Sequence, residues 1–310
     1  MQAARFAAFI VAGALLSGCA ALGSLLAGPV EGMGAAFEEM GDYEAAARKA
    51  PGDLSGLDMA MGFVGDHADM HAIAAKNFGG YAFGFVEPVA GPLDPPDKEA
   101  VAKAKAWYRK GREAGLRALR RLPAFAAAEG ADIEQFGAAL GEFGKDDVPG
   151  LFWTAYNWGQ LVMLSKDEPE LVAELPRVLA LIDRVKQLDA GYYHGGAHAF
   201  EMVNAASRPQ LLGGQPEVAR AAHAKAIAVD GLVGPEGPAR FMTHDVMFAQ
   251  FYAVQVQDAD LFRKTLTRVL ETPADVLPAA RLANVIAKRR AQVLLAKITD
   301  FFPDLEEEDQ

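Results

Sequence analysis

The chain lacks most of the features that mark an enzyme, a nucleic-acid binder or a membrane-spanning protein. It holds a single Cys in 310 residues, which excludes an intrachain disulfide framework and a cysteine-rich zinc site. Beyond its first twenty or so residues it has no apolar run of about 18, so no later segment suits a membrane-crossing helix. Positive charge is scarce: 30 Lys and Arg stand against 41 Asp and Glu, a net charge of −11. Broad, phosphate-driven binding of nucleic acid is therefore not expected. No stretch alternates apolar and polar residues, so strands are not expected either. A Gly-x-Ser-x-Gly elbow is absent, and neither Gly79-Gly80 nor Gly213-Gly214 is followed by Lys-Ser/Thr, so no phosphate loop is present. Left-handed helix ends account for these glycine pairs. What the chain has is apolar residues, 51% against 23% charged, enough to build a globular core.

The one Cys is placed informatively. Arg5 precedes an apolar run from Phe6 to Leu16, and Leu16-Ser17-Gly18-Cys19 follows. The run is too short for a mature transmembrane helix and reads as a secretory leader, residues 1–18. Leu-Ser-Gly-Cys resembles the bacterial lipobox, which implies cleavage before Cys19 and lipid attachment to its thiol. The alternative is a plain leader with an incidental Cys. Several acyl chains anchor a protein stably, at about 0.8 kcal/mol per buried CH₂. Ala20, rather than Asp, follows the Cys, which directs the expectation to the periplasmic face of the outer membrane. Residues 19–34, small and glycine-rich, read as a flexible tether.

From residue 35 to 303 the pattern is helical throughout and predicts a single all-α domain. Helices are expected over Phe37–Ala50, stopped by Pro51-Gly52, then Leu57–Phe85, Ala100–Leu122 with Asp97 as its cap, and Ile133–Phe143. Trp107, Gly111, Ala114 and Ala118 offer a small-residue face for close packing. Helix pairs follow: Leu151–Leu164 with Glu170–Leu188, Gly195–Pro209 with Pro216–Val229, and Thr243–Gln255 with Ala259–Leu270. Leu277–Phe301 closes the domain, and residues 304–310 form an acidic tail. Leu188, Val229 and Leu270 recur at a spacing of 41 residues, each at the end of a second helix. Antiparallel helix pairs repeating every 34–47 residues or so are the signature of an α-solenoid, and a tetratricopeptide-like one is the fold expected here, with a non-repeating bundle as the alternative.

Candidate chemistry is sparse. His194, His198 and Glu201 stand at i, i+4 and i+7, but Gly195 occupies the place of a catalytic Glu and Gly195-Gly196 sets His194 ahead of the helix. No metal and no cofactor is expected, and His198 reads as a hydrogen-bonded structural or pocket residue. Lys288-Arg289-Arg290 reads as a solvated face or as partners of nearby acids. Aromatics are the stronger signal. Phe152, Trp153, Tyr156 and Trp158 fall within seven residues, Tyr192 and Tyr193 precede the next helix, and Phe248, Phe251 and Tyr252 lie in the first helix of the third pair. They read either as core packing or as the wall of an apolar pocket.

Asp147-Val148-Pro149 leading to Trp153, Tyr156 and Trp158-Gly159 resembles the T component associated with TRAP transporters, the TatT family. So do His198 ahead of Ser207-Arg208-Pro209 and Leu212-Gly213-Gly214, with Ala219 and Ala226 following. Phe251-Tyr252-Ala253-Val254-Gln255-x-Gln257-Asp258 and Leu282-Ala283-Asn284-x-Ile286-Ala287-Lys288-Arg289-Arg290-Ala291 extend the likeness. It covers about Phe37 to Phe302 and departs from the family pattern at His194-Gly195 and at Gln215, where Asp is frequent. The resemblance implies a non-enzymatic, lipid-anchored periplasmic protein with a tetratricopeptide-like solenoid. It also implies association with the substrate-binding protein of a TRAP transporter, handling of a small hydrophobic or carboxylate ligand, and a ring-like homotrimer. The expected ligand residues are Trp153, Tyr156, Trp158, His198, Arg208, Tyr252 and Asn284. The aromatics would meet apolar ligand surface and Arg208 a carboxylate; a salt bridge for Arg208 and a helix–helix hydrogen bond for Asn284 are the structural alternatives. Two further hypotheses stand beside this one: an envelope scaffold gripping peptides in a polar groove, and a hydrolase built on His194, His198 and Glu201.

Overall fold

The computed structural model describes residues 23, 25–89 and 97–305. The leader, Cys19, residues 90–96 and the tail from 306 lie outside the described residues. The described chain is all-α, as expected, with no strand and an isolated bridge between Leu232 and Ala239.

Residues 25–38 form helix α1, where the sequence suggested a tether as far as 34. The reason is a helical stripe, Leu26, Ala27, Val30 and Phe37, that packs on the cores beneath. Helix α2 (Tyr43–Met61) is capped by Asp42, whose side chain accepts from the Ala45 amide at 2.9 Å. It runs through Pro51, which was expected to stop it. Ala46, Ala50, Leu54 and Leu57 hold one face buried, while Pro51 stands on the exposed face, where solvent can take the carbonyl it leaves unpaired. Helix α3 (Ala68–Tyr81) ends in a π-helical turn, Ala82–Val86. Helix α4 (Lys98–Leu119) starts at the expected cap, Asp97, which accepts from the Glu99 amide at 2.9 Å.

Short helices α5 (Pro123–Ala128) and α6 (Ile133–Leu140) lead to α7 (Val148–Met163). The remaining elements are α8 (Pro169–Val172), α9 (Leu175–Asp189), α10 (Tyr192–Ala206), α11 (Pro216–Asp230), α12 (Thr243–Met247), α13 (Ala259–Glu271), α14 (Arg281–Ala296) and α15 (Ile298–Phe301). Helix α12 passes into a second π-helical turn, Phe248–Ala253, so the expected continuous helix to Gln255 is widened and underwound at its centre. Leu188, Val229 and Leu270 are each the penultimate residue of α9, α11 and α13, so the 41-residue spacing marks equivalent helix ends.

Helices pack as neighbours: α3 on α4, α4 on α7, α7 on α9, α10 on α11, and α13 on α14. The α4–α7 seam is close. A Cβ on Gly111 would lie 2.1 Å from Asn157 Oδ1, and one on Gly115 would lie 2.9 Å from the Thr154 Cα. The small-residue face legible in the sequence is thus what lets α7 approach. One large core forms around Met70, Leu119, Phe136, Leu151 and Leu181, and a second around Val246, Phe262, Leu266 and Leu294.

Candidate functional site

Between these cores lies a half-open cavity of about 1300 Å³. Small-molecule sites span roughly 300–1,000 Å³, so the space is generous for one ligand. Its wall is mainly apolar, with twelve aromatic side chains in it among the described residues, and three departures from regular helix shape it. The first π-turn presents Phe83 and Phe85, the second presents Gln250 and Phe251. The third is a left-handed turn at the start of α10: Tyr193 (φ 45°), His194 (φ 59°) and Gly195 (φ 77°). Each non-glycine residue in that conformation costs about 1–2 kcal/mol.

The turn is held by specific contacts. His194 Nδ1 lies 2.6 Å from Asp230 Oδ2, and its ring stacks on Phe241 with centroids 4.3 Å apart. His244 Nε2 donates to the His194 carbonyl at 2.6 Å. At Gly195 a Cβ would come within 3.0 Å of the Ala226 carbonyl, so that position requires glycine twice over. The result is that Tyr192 and Tyr193 turn into the cavity. Trp153 Nε1 donates to Tyr192 Oη at 3.2 Å, and the Trp153 and Tyr193 rings meet edge to face at 4.6 Å. Burial holds the Tyr156 and Tyr193 hydroxyls well above the ordinary tyrosine pKa and moves Tyr192 to about 12, so all three are neutral phenols.

One pole of the cavity is polar. Arg290 Nη2 and Glu87 Oε1 pair at 3.2 Å, both largely buried. Arg290 Nη1 also donates to the Phe83 carbonyl at 3.2 Å, and its guanidinium lies 4.2 Å over the Phe83 ring. Tyr108 donates its hydroxyl to Glu87 Oε2 at 2.5 Å, and Tyr156 and Gln160 complete this pole. The pair ties α14 to the first π-turn. Replacing Arg290 by Met would leave Glu87 buried without its cation, so Arg290→Met is expected to lower unfolding stability by about 3–5 kcal/mol, read as a fall in the urea midpoint.

Of the residues expected from the sequence, Trp153, Tyr156 and Arg208 line the cavity. Arg208 is exposed at its rim, and no ion pair holds its guanidinium among the described residues. Trp158, His198, Tyr252 and Asn284 do not line it. Trp158 turns to the opposite side of α7, where its Nε1 donates to Glu174 Oε2 at 2.7 Å and Arg112 stacks on the ring at 4.9 Å. Tyr252 is packed face to face on Phe248, centroids 4.5 Å apart. His198 stands 3.8 Å from Glu201. The left-handed turn carries His194 off their face, so the three do not converge on a metal position. Asn284 is fully buried. It accepts from the Met242 amide at 2.9 Å and donates to the Arg240 and Ala274 carbonyls at 2.9 and 3.0 Å. Asn284→Ala orphans all three backbone groups and is expected to cost about 3 kcal/mol, again visible as a lowered urea midpoint.

Sequence reading missed Phe83, Phe85, Phe241, Glu87 and Arg290. For Arg290 a signal existed: it shares a helical stripe with Ile286, Ala287, Ala291 and Leu294, all buried, so it was never a solvated residue like Arg289.

His244, at the cavity wall, has its pKa lowered to about 4, chiefly by burial. The unfolded chain therefore binds a proton that the folded chain refuses between about pH 6.5 and 4, and stability falls as pH drops through that window. The expected contribution is about 2 kcal/mol lost between pH 7 and 5 from this group. His244→Gln, which keeps a donor, should flatten that part of the urea-midpoint profile.

Fold and site together define a helical-pair domain enclosing an aromatic cavity, a form suited to holding a ligand. The family model of the TRAP transporter T-component matches residues 41–302, and the chain belongs to that family, whose members are accessory components of TRAP transporters. A comparison with curated proteins returns no significant match.

Proposed function

We propose that this chain is a lipid-anchored periplasmic protein that holds a small, largely apolar ligand and passes it to the substrate-binding protein of its transporter. The observation that carries this is the aromatic cavity of about 1300 Å³, whose wall falls largely within the family-matched residues 41–302 and is completed by α1. A groove for peptides would present amides and charges along its length. Here the lining is predominantly apolar, and twelve aromatic side chains stand in it among the described residues, which favours a ligand over a peptide. The site is read as one of binding: His194 is paired with Asp230 and His244 donates to the His194 carbonyl, so the two histidines hold the turn. The anchor is Cys19, at the periplasmic face of the outer membrane, and the body is a tetratricopeptide-like solenoid assembling as a homotrimer. The equivalent helix ends at Leu188, Val229 and Leu270 support the repeat.

The test is a fluorescence titration of the chain starting at Ala20 with N-phenyl-1-naphthylamine, an apolar probe that brightens on leaving water. Saturable binding at micromolar probe is expected. Absence of any saturable signal from folded protein overturns the proposal.

A further inference from the structure

Leu25, Met59 and Phe63 are 71%, 68% and 63% exposed, unusual for side chains of this size. All three stand at one end of the hairpin formed by α1 and α2. The turn between residues 38 and 43 folds α1 back, so the start of α1 meets the end of α2. A side chain on Gly23 would collide with His67, just beyond α2, which fixes that closeness. The cavity reaches the same end: Ala60 and Ala68 line it together with Ala27 and Val30 of α1. The seam between the helices is open. Gly34, Gly52 and Gly56 all border the cavity, and a Cβ on any of them meets no atom within 4 Å. Small residues ordinarily let helices touch; here they leave a slot.

The chain itself says what lies next to this end. Cys19 is four residues before Gly23, a reach of at most about 14 Å even fully extended. A lipid on Cys19 thus places the exposed edge at a bilayer surface. With a net charge of −11, and Asp58, Asp66 and Asp69 nearby, adsorption by charge is disfavoured, so contact would be made by apolar side chains at a zwitterionic surface.

We propose that this end of the α1–α2 hairpin seats on the bilayer, and that the glycine-lined slot beside it is the passage by which an apolar ligand moves between membrane and cavity. The inference rests on lipid attachment at Cys19 and on the cavity as a ligand site. Its test uses the lipidated full chain in dioleoylphosphatidylcholine vesicles. Because the thiol of Cys19 is then occupied, Phe63→Cys offers a single site for an NBD label, with Leu211→Cys, in the α10–α11 connection, as an exposed comparison site. Doxyl-labelled lipid is expected to quench the label at least threefold more at position 63 than at 211; equal quenching overturns the bilayer contact. N-phenyl-1-naphthylamine carried in the vesicles is expected to reach the Gly52→Leu/Gly56→Leu protein about tenfold more slowly than wild type, the two rates being compared at matched final occupancy. An unchanged rate overturns the passage. If the intact mass shows Cys19 unmodified, the anchor and this inference fall while the cavity reading stands; if wild-type protein binds no probe, the cavity reading falls. If Met59→Ser/Phe63→Ser dissolves an oligomer and leaves the quenching unchanged, the edge is a contact between copies and the inference is wrong.

Discussion

Gly115→Val is expected to lower the melting temperature by about 10 °C or to prevent folding. Its Cβ would stand 2.3 Å from Thr154 Oγ1 and 2.9 Å from the Thr154 Cα, and backbone cannot swing aside as a side-chain tip can. Overpacking a close seam costs about 1–3 kcal/mol and sometimes more, and a backbone clash belongs at the upper end. In a domain of this size each kcal/mol shifts the melting temperature by roughly 2–4 °C. Gly137, on the exposed face of α6, has nothing within 4 Å of its Cβ position. Gly137→Ala is therefore expected to stabilise slightly, by up to about 1 kcal/mol. The pair, measured by thermal melts, separates a steric requirement at Gly115 from the ordinary helix preference against glycine.

The second large effect concerns binding. Gly80 lines the cavity from α3, in helical conformation, with open space at its Cβ. Gly80→Trp is expected to keep the fold while filling the ligand's place, lowering probe affinity at least tenfold. Trp158→Ala is expected to do the reverse: loss of about 3 kcal/mol of stability from its packing and its bond to Glu174, with probe affinity of the folded protein unchanged. Were Trp158→Ala the variant that empties the protein and Gly80→Trp the silent one, the wall assignment would be inverted.

These residues also mark how far sequence carried the account. Helix identity, the Asp97 cap and the close face of α4 were legible because periodicity and small-residue spacing are local. The choice among aromatics was not. Trp153 and Trp158 lie five residues apart on one helix, and which of them faces a cavity depends on α3, α4 and α10, brought together only in the fold. The left-handed turn at Tyr193 and His194 leaves one trace, the adjacent Gly195; its real cause is distant, in Asp230, Phe241 and His244. Arg290 and Glu87 are 203 residues apart, a pairing with no local signature. The cavity is where local regularity yields: two π-turns and a left-handed turn border it, consistent with a site for which helix regularity has been given up.

The most direct measurement is native mass spectrometry of the chain starting at Ala20, purified without detergent, then denatured so that released small molecules can be identified. The account predicts a co-purifying apolar compound, present on wild type and absent from Gly80→Trp. A folded wild-type protein that is empty, and stays empty when offered N-phenyl-1-naphthylamine, would contradict it.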